Sequence, residues 1–171
     1  KASDAVQYMV DKGFCYFIIA QDGTVYQNFP LDEHGPHAGD SKKYPSDWPT
    51  LDFGVSDQLV GIEVMCPGKL DKRRRPWYSK ASFPEMQCRT VEGNGQQEAG
   101  IYRKFSEAQE VSLIRLLTWL HTNNPAVFTY NHVLGHDEVS GPLGIGYQRK
   151  NDPGGSLSMT MDSLRDKLAD A

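Results

Sequence analysis

Long apolar runs are missing from this 171-residue chain. Crossing a bilayer as a helix would take about 20 consecutive apolar residues, so no such span is expected. No charged-then-apolar leader opens the sequence either. A surplus of basic charge is also absent: the formal net charge is -4, which argues against a nucleic-acid-binding surface. The one basic cluster, Lys72 to Arg75, is followed by Pro76 and reads as a solvated loop. Cysteine is scarce and unpaired. Cys15, Cys66 and Cys88 are odd in number and show no CxxC spacing, so they make neither a disulfide framework nor a structural zinc knuckle. Cys15 and Cys66 lie in apolar runs, where a small buried thiol is the plain reading. Internal repeats and low-complexity tracts are lacking. So is an initiator methionine, from which a processed product or a part of a longer polypeptide is expected.

What is present suits one globular domain: 39% hydrophobic and 23% charged residues over this length can enclose a sizeable core. Ser3 is placed to cap a short first helix whose apolar face carries Val6, Met9 and Val10, and Gly13 ends it. Residues 14–20 favour a strand, 21–24 a hairpin turn with Gly23 at positive φ, and 25–28 the return strand. Residues 29–53, rich in Pro, Gly, Asp and His, read as a long loop or lid holding His34 and His37. Residues 59–66 read as a central strand. Residues 67–104 read as an insertion with at most short elements, anchored by Trp77, Tyr78 and Phe83. Ser106 to Gln109 is a capping box opening the main core helix, which runs to about His121. Residues 126–133 favour a strand, and 159–169 a final helix with Met161, Leu164 and Leu168 inward and Asp162 and Asp166 outward. The order suggests an α/β layer around a mixed sheet flanked by helices.

Chemistry concentrates after residue 133. His136 is expected at a strand's end, and the Gly- and Pro-rich stretch 141–155 projects Lys150 and Asp152 from a loop. An imidazole, a carboxylate and an ammonium together suit a metal that polarises an amide carbonyl and activates water, with a cation for the developing oxyanion. Residue types alone make this a weak signal. Glu63 is the one charge in its apolar strand and is expected to be mostly buried. It either bonds a neighbour structurally or serves as a base with a raised pKa.

Six motifs occur in a telling order: residues 16–27 around Gln-Asp-Gly-Thr, Pro-His-Ala-Gly at 36–39, Val-Gly-Ile-Glu-Val at 60–64, Phe-Ser-Glu-Ala-Gln at 105–109, Leu-Gly-His-Asp-Glu at 134–138, and Lys-Asn-Asp-Pro-Gly at 150–154. Together they resemble the zinc-dependent N-acetylmuramoyl-L-alanine amidases of the peptidoglycan recognition protein superfamily, the group that includes phage lysozyme-amidases. The likeness spans the chain apart from 67–104. It implies a zinc hydrolase that cuts the amide between the lactyl group of N-acetylmuramic acid and the L-alanine of the stem peptide, acting on the cell wall or in the periplasm. By position, it makes His136 and Asp152 zinc ligands, Glu63 the base that takes a proton from water, and Lys150 the cation beside the carbonyl oxygen. His37 matches a position that lines the cleft, as a substrate contact or as loop packing.

The sequence departs from that family in three places. The family's first zinc ligand, a histidine ending a strand before the first helix, has no match here, so an upstream segment or a second chain is expected to supply it. The segment between His136 and Asp152 is longer than usual, and Cys15-Tyr16 stands where the family often has Tyr-His. The absent histidine makes a catalytically inactive peptidoglycan-binding module the alternative reading.

Overall fold

The computed structural model describes residues 2–38, 55–93, 97–139 and 150–170. Most of the expected lid, 39–53, and much of the loop before Asp152, 140–149, lie outside them.

Helix α1 spans Ala2–Lys12, so Ser3 falls inside it rather than capping it. Val6 is buried and Met9 packs against it, but Val10 faces solvent. Gly13, at φ 65°, ends the turn as expected. The hairpin follows its sequence closely. Strand β1, Phe17–Ile19, pairs antiparallel with β2, Val25–Gln27, and Gly23 turns at φ 85°. The turn docks on the main helix: Ser106 Oγ donates to Gln21 O at 2.7 Å and Ser112 Oγ donates to Gly23 O at 2.6 Å.

Strand β3 is shorter than the apolar run around it, Ile62–Val64 rather than 59–66, and it pairs parallel with β1. The sheet is therefore mixed, ordered β2-β1-β3, with β1 in the middle. All three β1 residues are buried, as a strand covered on both faces requires. Residues 67–104 hold more structure than their weak periodicity suggested. Strands β4 (Lys69–Leu70), β5 (Cys88–Val91) and β6 (Gly100–Arg103) form a second, antiparallel sheet ordered β4-β6-β5. The expected anchors fail in two cases of three. Trp77 is 90% exposed and Tyr78 59%, whereas Phe83 packs beneath the Arg103 guanidinium.

Helix α2, Glu107–Asn123, opens with the expected capping box and buries Leu116, Leu117 and Leu120. After it, residues 126–133 form turns and a single 3-10 turn at Tyr130–His132 instead of a strand. Val127 is exposed, and the Phe128 carbonyl bonds the His121 ring at 2.7 Å, so local wrapping onto α2 replaces a ladder. His136 consequently begins a short helix, α3 (His136–Val139), and does not end a strand. The last helix, α4 (Met161–Ala169), starts at the cap residue Thr160 and buries Leu164 and Leu168, with Asp162 and Asp166 turned outward as patterned.

Gln109 joins these layers. It is 1% exposed, its side-chain oxygen accepts from Ser106 N at 3.0 Å, and its amide donates to Met65 O at 2.9 Å and Ile19 O at 3.4 Å. Replacing it by Ala strands those groups and leaves a cavity, so Gln109→Ala should cost about 2–4 kcal/mol. Urea unfolding reads this directly, and a loss below about 0.5 kcal/mol would remove Gln109 from that role.

Candidate active site

Glu63 occupies the middle of β3, opposite Ile18 of β1. The strand sets its direction because Ile62 and Val64 alternate toward the apolar clusters. Contrary to expectation, the Glu63 side chain is exposed. Its carboxyl is nonetheless pushed up to about 7 from 4.5, first by the protein packed around it and then by the charge of Asp152, with His136 and Lys150 pulling the other way. Exposure and dehydration coexist where protein rings a group that solvent can still reach, as on the floor of an open cleft.

His136 and Asp152 meet directly, Nδ1 to Oδ2 at 3.2 Å. One backbone bond ties their segments together: the Asp137 N–H donates to Asp152 O at 2.8 Å. Burial would raise the Asp152 carboxyl, but the hydrogen bond from His136 and the charges of His136 and Lys150 outweigh it and leave the group below its ordinary value. Lys150 lies two residues upstream and is partly buried.

His37 reaches the same neighbourhood. Burial lowers its pKa, the Gly35 carbonyl opposes that, and the charge of His136 adds to the lowering. Its Nδ1 stands 2.9 Å from Gly35 O, an acceptor only, which places the proton on that nitrogen. The ring lies flat against the start of β3: a Cβ on Gly61 would stand 2.3 Å from His37 Cγ, so only glycine allows this approach. Tyr16 braces the loop, donating from its hydroxyl to Glu33 O at 2.8 Å and accepting from Gly35 N at 3.0 Å. Of the five residues singled out from the sequence, His136 and Asp152 are in contact, and Glu63, Lys150 and His37, from stretches far apart in the chain, lie near enough to exchange electrostatic influence with one or both.

Three supports were not legible in the sequence. Arg165 of α4 donates to both Glu138 oxygens at 2.9 and 3.1 Å and to Val133 O at 2.8 Å, while Glu138 accepts from Gly135 N at 2.7 Å. This brackets the turn on which His136 sits. The second sheet seats the other side. Added Cβ atoms at Gly154 and Gly155 would each come within 2.7 Å of the Tyr102 ring, and Arg89 donates to Gly155 O at 3.1 Å and to Leu157 O. Asp137, 3% exposed, has its Oδ1 unpaired beside a cavity of about 40 Å³, and burial pushes its carboxyl up to about 7. The Gly-His-Asp-Glu motif flagged this last position without distinguishing its role.

The donor chemistry can be tested against zinc. Tetrahedral zinc holds nitrogen and oxygen ligands at roughly 2.0–2.2 Å, which sets them about 3.4 Å apart. The His136–Asp152 separation of 3.2 Å fits. Among the described residues, no group of three or more His, Cys, Asp or Glu side chains is arranged to hold a metal.

Glu63 predicts a pH signature. Because its folded pKa is raised, its contribution to stability is complete below about 4.5 and is lost as pH rises through about 7. Glu63→Gln removes that loss. The variant, free of metal, should gain stability over the parent progressively between pH 4.5 and 7. Denaturant midpoints that differ equally at pH 4 and pH 8 would contradict the assignment.

A family model described as N-acetylmuramoyl-L-alanine amidase matches residues 2–155. No curated protein and no solved structure matches the chain.

Proposed function

The chain belongs to the N-acetylmuramoyl-L-alanine amidase family, and from that premise we propose that it is a zinc-dependent hydrolase that cleaves the bond between N-acetylmuramic acid and the L-alanine of the stem peptide. Peptidoglycan amidase chemistry is what the family does in general, and its substrate is the cell wall. Among the described residues no helix is long and apolar enough to cross a membrane. The convergence of Glu63, His136, Lys150 and Asp152, with the Glu63 carboxyl held near neutrality, carries the finer reading.

In this reading His136 and Asp152 hold zinc, which when bound polarises the amide carbonyl and makes water more acidic. Glu63 accepts the water's proton on its carboxylate and returns it to the departing alanine amine. A carboxyl with a pKa near 7 is matched to both halves of that task. The Lys150 ammonium faces the carbonyl oxygen and stabilises the negative charge that builds there. His37, its proton fixed on Nδ1, lines the cleft as a substrate contact. A catalytic zinc ordinarily takes three protein ligands, so the proposal requires one more donor from outside the described residues.

That requirement favours one second reading, a module that binds peptidoglycan without cutting it. Turnover and zinc content separate the two. The parent protein should carry about one zinc per chain and release the stem peptide from soluble muropeptides, with loss of activity on chelation. Glu63→Ala should retain zinc and muropeptide binding while turnover falls about 10²–10⁴-fold. Muropeptide binding without turnover by the zinc-loaded parent would select the binding module.

A further inference from the structure

The second sheet carries a groove that the proposed chemistry does not use. It is open to solvent, holds about 470 Å³ and is lined by Lys69, Asp71, Arg75, Trp77, Tyr78 and Lys80, among others. Exposed Trp and Tyr side chains need a reason, because water contact wastes the large apolar area such rings can bury. The backbone that carries Trp77 and Tyr78 is fixed. Their loop is tied at its base, where the Asp71 carboxylate accepts from Arg73 N at 2.8 Å, Arg75 N at 2.9 Å and Arg75 Nε at 2.8 Å. Its far side is closed by Phe83 N donating to Arg74 O at 2.9 Å and by Arg74 Nε donating to Phe83 O at 3.1 Å. A surface held in place this way is pre-organised and gives up little entropy on binding.

The charge around the groove defines its occupant. Three cations, Lys69, Arg75 and Lys80, line it against the single acid Asp71, to which Arg75 is paired, so its lining is net positive in a chain whose net charge is -4. The groove is also connected to the site. Lys69 on its wall pairs with Glu98, and Glu98 accepts from Asn151 Nδ2 at 3.5 Å, one residue from both Lys150 and Asp152. Volume, an apolar ring face and a net positive lining suit a sugar chain that bears carboxylates. Successive nucleic-acid bases need parallel platforms to stack on. Trp77 and Tyr78 stand at 89° to one another and offer one face and one edge.

We propose that the Trp77–Tyr78 groove is a glycan-strand subsite, which holds the polymeric wall beside the cleavage site through ring contacts to the sugars and cationic contacts to the stem-peptide carboxylates. This rests on the peptidoglycan reading above and extends it to polymer against fragment. The test uses the full chain carrying Trp77→Ala together with Tyr78→Ala, both exposed positions, with circular dichroism as the check on folding. Sedimentation with insoluble peptidoglycan should show binding at least about 10-fold weaker than the parent's, while hydrolysis of a soluble monomeric muropeptide is unchanged. Lys80→Glu should weaken polymer binding in the same direction, and added salt should narrow the difference. Equal binding of polymer by parent and double variant would overturn the subsite. So would loss of single-stranded oligonucleotide binding with peptidoglycan binding intact. If the parent binds polymer through Trp77 and Tyr78 but cleaves no muropeptide, the hydrolase reading fails and the subsite stands.

Discussion

The buried amide of Gln109 is the constraint on which the arrangement depends. One side chain, itself 1% exposed, spans the first turn of α2 and the ends of β1 and β3 through buried and part-buried bonds. Buried amides are costly unless paired, so the helix and both strands are held at one spacing. Met65, whose carbonyl it grips, is two residues beyond Glu63. The height of that carboxylate above the sheet is thus set from the opposite layer, by a residue that has no part in the chemistry. The same helix turn also receives the β1-β2 hairpin through Ser106 and Ser112, which packs that hairpin directly onto α2.

Around the carboxylate, two independent supports approach the His136–Asp152 pair. From one side Arg165 and Glu138 brace the turn before His136, in a part-buried pair where bidentate geometry gives an ion pair more than its usual surface value. From the other, the Tyr102 ring and Arg89 seat the turn after Asp152. Each partner of the 3.2 Å contact is therefore positioned by a different element, one by α4 and one by the second sheet. Catalytic groups held by neighbours with locked rotamers keep their geometry better than groups on unsupported loops.

Local signals in the sequence were reliable where the chemistry is local. The capping box at Ser106, the glycine turn at Gly23 and the apolar stripe of Leu164 and Leu168 each specify structure within a few residues, and each formed. Residues 126–133 failed because β-propensity measures fit to a sheet, and among the described residues no strand pairs with them. The second sheet was hidden because strands as short as Lys69–Leu70 show too few alternations to register. The five residues proposed for the site were singled out through the order of their motifs and hardly through residue type. Among their supports, Arg165 and Tyr102 gave no signal, and Gln109 showed only as a capping residue, since a buried polar side chain reads as an exposed one until its partners are known.

Two adjacent glycines pressed onto one tyrosine ring have a bearing on how this protein can be shortened. Residues 67–104 are weakly patterned and would be the natural segment to excise in building a smaller enzyme. Yet Tyr102 belongs to that stretch, and without it Gly154 and Gly155 would face an empty hollow with no side chains of their own to fill it. Trimming there would leave the turn after Asp152 without its seat, so the segment is a keystone that resembles an ornament.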